Sequence, residues 1–213
     1  TFEKLNTARK NNYDEETIDF VKLLKNQEKK YGKDDEHVIE LTNYITNVAN
    51  EQFSLYTNKF GGKIKFGLSS PGYITEAEKT EASLDGRKAK EPFAVHISSD
   101  DSQAYTELVQ FASKLDYTGN RFNGNVVDFM VSPDFIENNF RKFVDFMMAS
   151  IKVGFFQMQM NVVSSKMLIE ARKNPDKFPN LIVRVWGFSA YFNDLPEEYK
   201  DVLIERALKN EGK

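Results

Sequence analysis

The stretch that most constrains the fold lies near the C-terminus, where the apolar run Leu181–Val185 stops at a glycine, Gly187. The run is rich in β-branched residues, which is typical of a strand buried on both faces. A glycine in such a pattern weakens the strand and usually marks a bulge or a close approach of backbone. Asp194 and Glu197 then form a capping-box pattern. The stretch therefore predicts a strand, a glycine-dependent loop and a helix.

The pattern of apolar and charged residues over 1–57 predicts helices with strongly charged outer faces. Apolar residues recur at spacings of three and four, and Gly32 with the acidic residues after it separates two amphipathic helices. Both apolar faces are expected to pack on a core; they comprise Ile18, Val21 and Leu24, then Val38, Leu41, Ile45 and Val48.

From residue 58 onward, short apolar strands alternate with amphipathic helices. Strand patterns are centred on Lys63–Leu68, Pro92–Ile97 and Val126–Met130, and Ser132 followed by a proline predicts the start of a helix. The dipeptide Asp85–Gly86 predicts a tight turn with positive φ. The order of elements favours an α/β arrangement that forms part of a barrel.

The strand pattern Phe155–Val163 carries amides on one face, with Gln157, Gln159 and Asn161 at alternating positions. Alternation alone favours exposure of these amides to solvent. The neighbouring segments are too apolar for a sheet that is wetted on one side, which favours instead a polar cavity lined by the amides.

Composition excludes several classes of chemistry. The 213 residues contain no cysteine, so disulfides, iron–sulfur clusters, zinc–thiolate sites and cysteine nucleophiles are absent from this sequence. His37 and His96 have no metal-ligand spacing, and no metal site is expected. A net charge of −3 without a basic stripe argues against nucleic acid, and the lack of a long apolar run argues against membrane insertion. With no signal-peptide pattern, a cytoplasmic location is expected.

Five stretches, in order along the chain, resemble sequence motifs of the glycyl radical enzymes. Any one of these matches is weak, but five in the order of the family over nearly the whole chain are improbable by coincidence. They are Lys30–Asp35, Gly62–Ser70, Leu84–Pro92, Gln157–Val163 and the glycine stretch Arg184–Phe192.

This resemblance implies a fold and a domain organisation. The expected fold is the C-terminal portion of a ten-stranded β/α barrel with N-terminal helices, completed by a partner chain. Residues 1–213 are then a single glycyl-radical region. Within it, 1–57 form the helical segment, 58–213 supply barrel strands and helices, and 184–192 form the glycyl loop.

The resemblance also implies the site. Gly187 is expected to carry a backbone radical, installed by a radical S-adenosylmethionine activating enzyme, with no bound cofactor. A radical at Cα is stabilised when it is planar and conjugated with both flanking peptides, a geometry in which a side chain would clash. The residues expected to pack around the glycyl loop and anchor it are Arg184, Trp186, Phe188 and Tyr191. Gln159 and Asn161 are candidates for lining the cavity.

Family members pass the radical to a cysteine, which then abstracts hydrogen from a small-molecule substrate. Because this sequence has no cysteine, it is expected to be the radical-storing subunit of a split, oxygen-sensitive enzyme of anaerobic metabolism, with a larger partner chain that carries the cysteine. The Gln-x-Gln-x-Asn strand resembles the dehydratase and decarboxylase branch, so a lyase is favoured. Alternatives are a spare-part subunit that repairs an oxygen-damaged glycyl loop, a pyruvate formate-lyase type of activity and a non-catalytic interaction module.

Overall fold

The structure is a computed structural model that describes residues 1–69, 72–98, 104–119, 121–185 and 187–211. The described residues divide into two compact units. The first comprises Thr1–Lys30 and the described part of Ser70–Val95, and the second comprises Tyr31–Ser69 and the described part of His96–Lys213.

The first unit contains helices α1 (Phe2–Lys10) and α2 (Ile18–Lys25) and a long irregular segment. Tyr13 is buried in its core and donates a hydrogen bond to the carbonyl of Ser83 at 2.6 Å. The predicted Asp-Gly turn is confirmed, since Gly86 has a φ of +93°. The adjacent side chain of Arg87 is buried and donates to the carbonyl oxygens of Glu81, Lys88 and Glu91.

Two predictions about the number and bounds of elements in the first half of the chain are wrong. Residues 1–57 form three helices rather than two, because α1 ends at Lys10 and the chain then turns at Asn12 and Tyr13, whose φ angles are +56° and +51°. The stretch Pro92–Ile97 is not a continuous strand. Arg87 and the carbonyl of Tyr73 hold Glu91 and Phe93 in an irregular path, and among the described residues the strand comprises Ile97 and Ser98.

The first helix of the second unit is α3 (Glu36–Ser54), and the described residues of this unit contain three small sheets. Strands β1 (Phe66–Leu68) and β3 (Arg121–Gly124) form a parallel pair. Strands β2 (Ile97–Ser98), β4 (Val126–Val131) and β5 (Gln157–Val162) form a parallel sheet in the order β2-β4-β5. Strands β6 (Ile182–Arg184) and β7 (Ser189–Tyr191) form an antiparallel hairpin.

Helices α4 to α8 separate or follow these strands; they are α4 (Tyr105–Ser113), α5 (Pro133–Asn138), α6 (Phe140–Val153), α7 (Ser165–Lys173) and α8 (Glu197–Asn210). The predicted start of α5 is confirmed, because the Ser132 hydroxyl accepts a hydrogen bond from the Phe135 amide. The predicted capping box of α8 does not form. Asp194 ends a 3₁₀ turn, and α8 begins after Pro196 without a side-chain cap.

The parallel sheet lies in the core of this unit. All six residues of β4 are buried, which a strand covered on both faces requires. The hairpin is different, because Ile182 is 55% exposed whereas Val183 is fully buried. The prediction that Leu181–Val185 is buried on both faces is therefore wrong, and the pairing with β7 leaves one face open.

Helix α3 exposes much of the face that the sequence predicted to be buried. Leu41, Ile45 and Val48 are between 41% and 57% exposed. The buried positions are instead Ile39 and Thr46, and the Thr46 hydroxyl is satisfied by the carbonyl of Thr42 at 2.9 Å. The helix is apolar on two faces, so periodicity alone does not select the packed one.

Candidate functional site

Gly187 lies in the turn between β6 and β7. Its φ is +96°, a conformation that residues with a Cβ rarely adopt. The turn is closed by a hydrogen bond from the Val185 amide to the Phe188 carbonyl at 3.0 Å. A Cβ added at Gly187 would meet no described atom within 4 Å. The backbone conformation, not a lack of space, therefore accounts for glycine at this position.

Gln159 holds the turn from strand β5. Its side-chain oxygen Oε1 accepts a hydrogen bond from the Gly187 amide at 3.1 Å, and its Nε2 donates to the Val185 carbonyl at 3.0 Å. The Gln159 side chain is buried, at 4% exposure for the residue. One buried side-chain amide therefore binds the backbone at two positions of the turn, Val185 and Gly187.

Asn161, two residues along the same face of β5, repeats this arrangement on strand β6. Its Oδ1 accepts from the Arg184 amide at 2.7 Å, and its Nδ2 donates to the Arg184 carbonyl at 2.9 Å. Together, Gln159 and Asn161 make four hydrogen bonds to the backbone of residues 184–187. We call this pair of side chains the amide clamp. It attaches the hairpin to the parallel sheet through side chains.

Asp128 lies beside Gln159 in the sheet, because the β4–β5 register pairs these two residues. Its Oδ2 accepts from Gln159 Nε2 at 3.0 Å and from Arg206 Nη2, on α8, at 2.8 Å. The Asp128 side chain is fully buried, and its Oδ1 has no hydrogen-bond donor in the described part of the chain. Burial of a carboxylate requires such pairing, since an isolated buried charge is very costly.

Sequence reasoning missed Asp128 and Arg206. The signal for Asp128 was available: it is the single charged residue in the apolar strand Val126–Val131, and buried carboxylates are rare unless paired. Arg206 carries no comparable signal, because it is one of several charged residues on an amphipathic helix.

Three of the other residues predicted to support the loop, Arg184, Phe188 and Tyr191, are among the described residues. Arg184 donates from Nη1 to the Ser189 hydroxyl at 3.2 Å. Phe188, which follows Gly187, is 42% exposed, and Tyr191, which pairs with Ile182 at the other end of the hairpin, is 47% exposed. Trp186 lies outside the described residues. The roles assigned to these four residues, and cavity lining by Gln159 and Asn161, stay predictions.

Two titratable groups near Asp128 have shifted pKa values. Burial lowers the pKa of His96, an effect that the charge of Asp128 opposes and that of Arg206 reinforces. Burial raises the pKa of Tyr105 to about 12, and its hydroxyl donates to the Met130 carbonyl on β4. Among the described residues, no group of three or more acidic or histidine side chains could hold a metal ion. No helix in that part of the chain is long and apolar enough to cross a membrane.

Comparison with known proteins places this site in a family. A family model described as a glycine radical domain matches residues 93–193, which include the amide clamp and Gly187. The trans-4-hydroxy-L-proline dehydratase of Clostridioides difficile is 29% identical over 195 residues, which cover 87% of this chain and 24% of the relative. The indoleacetate decarboxylase of Tractidigestivibacter scatoligenes is 30% identical over 184 residues, 83% of this chain and 21% of the relative.

A solved structure described as a glycyl radical enzyme from Archaeoglobus fulgidus superposes with a TM-score of 0.82 at 28% identity, over 96% of this chain and 27% of that chain. This chain thus spans about a quarter of the length of the relatives it matches. The α/β fold predicted from the sequence is confirmed. The chain corresponds to the C-terminal, radical-bearing part of the glycyl radical enzyme family.

Proposed function

We propose that Gly187 is the radical-bearing residue and that the chain is the radical-storing part of a lyase or dehydratase of this family. The observation that carries the proposal is the geometry of Gly187. It is a positive-φ glycine whose preceding peptide is bound through its N–H by a buried amide, while a Cβ built on its Cα would meet open space. A stored backbone radical needs both properties, because its peptides must stay conjugated and its Cα must remain reachable.

Radical formation is a hydrogen transfer. An activating enzyme supplies one electron to S-adenosylmethionine, which breaks into methionine and a 5′-deoxyadenosyl radical. That radical takes one α-hydrogen from Gly187, so a C–H bond breaks on the glycine and a C–H bond forms on 5′-deoxyadenosine. Gly187 keeps one α-hydrogen and an unpaired electron, which the flanking amide nitrogen and carbonyl delocalise.

The next step requires a thiol from outside these 213 residues, because the sequence contains no cysteine. We propose that a larger partner chain supplies it. The thiol gives its hydrogen to the Gly187 Cα, which restores the glycine and leaves a thiyl radical to abstract hydrogen from substrate. Gly187, Phe188 and Tyr191 are exposed in this chain, which supports a role for a second surface in covering them.

Exposed apolar side chains elsewhere in the second unit support the same partner. On α3 they are Leu41, Tyr44, Ile45 and Val48, and on α6 Phe140 and Ile151 are 65% and 66% exposed. Contiguous apolar surface of this kind usually marks an interface. We expect an obligate complex with an interface of more than roughly 2,000 Å².

The substrate proposed is a small hydroxylated, amino or carboxylated compound. This class rests on the resemblance of the stretch Gln157–Val163 to the dehydratase and decarboxylase branch and on relatives described as dehydratases, a decarboxylase and sulfite-lyases. The binding residues for such a compound would come mainly from the partner.

The test follows the α-hydrogen itself. The chain is produced with glycine that carries deuterium at both α positions, and is incubated without oxygen with an activating enzyme, S-adenosylmethionine and a reductant. We expect 5′-deoxyadenosine to gain one deuterium, and Gly187→Ala to remove that gain. Gly61→Ala, at another positive-φ glycine in open space, is the matched control and should leave the transfer unchanged. Deuterium transfer that persists in Gly187→Ala would contradict the proposal.

A second measurement separates the split enzyme from the repair subunit. The chain is added either to a cysteine-bearing partner that lacks this region or to a full-length relative already cleaved by oxygen at its glycyl loop. Activity restored only with the truncated partner supports a split enzyme. Activity restored in the cleaved full-length enzyme would instead support repair.

A further inference from the structure

The orientation of the Gln159 amide is determined by its neighbours. A side-chain amide has one end that only donates hydrogen bonds and one end that only accepts them. The group facing one end of Gln159 is the Gly187 N–H, a donor, and the groups facing the other end are the Val185 carbonyl and the Asp128 carboxylate, both acceptors. Nε2 must therefore face Val185 and Asp128, which leaves Oε1 for Gly187.

The carboxylate is the stronger of the two acceptors that fix this orientation. Hydrogen bonds to an ionised acceptor are about twice as strong as those between neutral groups. Asp128 cannot turn away from Gln159, because its side chain is fully buried and its Oδ2 is shared with Arg206 at 2.8 Å. The ladder between β4 and β5 also fixes the two backbones, since Asp128 and Gln159 are direct partners in register.

We propose that Asp128 is a positioning residue for the glycyl loop. Through Gln159 it holds the amide oxygen on the Gly187 N–H, and this contact fixes the plane of the peptide that precedes the Gly187 Cα. Asp128 does not contact Gly187 itself. Arg206 compensates the buried charge of Asp128 and connects helix α8 to the same contact.

The role of this contact in radical storage rests on the proposed function of Gly187. The peptide nitrogen of Gly187 is the electron-donating neighbour of the proposed radical, and it can donate only when its peptide is coplanar with the radical centre. A clamp that fixes this peptide would prepare the planar geometry before the radical forms. The clamp itself is a property of the closed-shell protein, so it can be tested without any radical.

The experiment is amide hydrogen exchange on the intact chain labelled with ¹⁵N-glycine. The label gives signals only from the eleven glycines, and Gly187→Ala assigns the signal of interest. We expect Asp128→Asn to accelerate exchange of the Gly187 amide roughly fivefold to tenfold, the loss expected when one hydrogen bond is weakened. The Gly154 amide, which donates to Ser150, serves as the internal reference for global folding.

A double-mutant cycle tests whether Asp128 acts through Gln159. Gln159→Met should accelerate Gly187 exchange by itself, and adding Asp128→Asn to it should cause no further acceleration. Gln157→Met, on an exposed glutamine of the same strand face, is the matched control and should leave the rate unchanged. Equal acceleration by Asp128→Asn with and without Gln159, or no acceleration at all, would overturn the proposal.

Loss of the buried charge could also unfold the protein. If Asp128→Asn also accelerates exchange at Gly154, that variant has lost global folding and cannot be used. Gly187 amide exchange is then measured in Asp128→Asn/Arg206→Gln, which removes both charges and leaves neither one buried alone. We expect the same selective acceleration at Gly187, and an unchanged rate there would overturn the proposal. Electron paramagnetic resonance reports separately on whether the unsubstituted protein forms a radical at Gly187. If that radical forms but the Asp128 variants leave Gly187 amide exchange unchanged, the positioning role alone is refuted. If the variants accelerate Gly187 amide exchange but no radical forms, the proposed function is refuted.

Discussion

The side-chain oxygen of Gln159 lies 3.1 Å from the backbone nitrogen of Gly187. Gln159 belongs to the parallel sheet and Gly187 to the turn of the β6–β7 hairpin, and the contact between them is made by a side chain. A backbone ladder extends cooperatively along two strands, whereas the amide clamp attaches only residues 184–187. In addition to the four hydrogen bonds of the clamp, Val183 and Val185 are buried in one core cluster with Met130 of β4.

Gly187→Ala should leave the protein folded. The cost should be about 1–2 kcal/mol in the free energy of unfolding, because alanine must adopt a positive φ but its Cβ meets nothing. Urea unfolding measures the change, and Gly61→Ala should show a similar cost. Gly86→Ala should cost more, since its Cβ would lie 3.4 Å from the Leu24 Cβ. A loss above about 4 kcal/mol for Gly187→Ala would show that its surroundings are packed.

Arg87→Met should destabilise the first unit by about 2–4 kcal/mol, because three carbonyl oxygens lose a charged donor in a buried setting. Arg87→Lys should rescue little of this, since an ammonium group cannot reproduce the planar fork. Hydrogen exchange of residues 72–95 measures the change. Arg141→Met, whose side chain is 89% exposed, is the control and should have almost no effect. Equal effects of the two substitutions would refute a structural role for Arg87.

His96 should titrate below its ordinary pKa of about 6.5, because burial disfavours its charged form. As the pH falls below the pKa in the unfolded chain, the unfolded chain takes up a proton that the folded protein resists. Stability should therefore fall from about pH 6.5 down to the folded pKa. Histidine NMR measures the titration, and His37→Gln assigns the signals.

The charges around His96 give this titration a second use. Asp128→Asn should lower the pKa of His96 further, because the carboxylate opposes the effect of burial. Arg206→Gln should raise it, because the guanidinium reinforces that effect. A His96 pKa that is unchanged in both variants would show that these three groups do not share one electrostatic environment.

Local patterns in the sequence predicted many individual elements. Ser132 with its proline gave the start of α5, and Asp85–Gly86 gave a turn, because each signal acts within a few residues. The motif match singled out Gly187, Gln159 and Asn161, and the structure brings the two amides onto the backbone of the turn and of β6, while their roles stay predictions. Composition could not show that Gln159 and Asn161 bind the backbone of residues 184–187, because that contact spans more than 20 residues of sequence.

The other predictions were wrong or incomplete because contacts between residues far apart in sequence decide these features. Helix α3 has apolar residues on two faces, and only the sheet beside it selects Ile39 over Leu41. The hairpin β6–β7 was missed because β7 has only three residues, Ser189–Tyr191, too few for a periodic signal. Arg206 was missed because its partner, Asp128, lies 78 residues away in sequence.

Oxygen should cut the activated protein at Gly187. A carbon-centred radical adds dioxygen readily, and the resulting peroxyl species breaks the backbone at that residue. Exposure to air after activation should release a C-terminal peptide that begins near Phe188, as measured by intact-mass spectrometry. Protein that was never activated should stay whole under the same exposure. An unbroken chain after verified activation would place the radical elsewhere.

The most direct test of the central claim is the electron paramagnetic resonance spectrum of the complex after anaerobic activation. If Gly187 carries the radical, the spectrum should be a doublet, split by the one α-hydrogen that remains, and deuterated glycine should collapse the splitting. Gly187→Ala should abolish the signal while Gly61→Ala keeps it. A doublet that survives in Gly187→Ala would contradict the assignment.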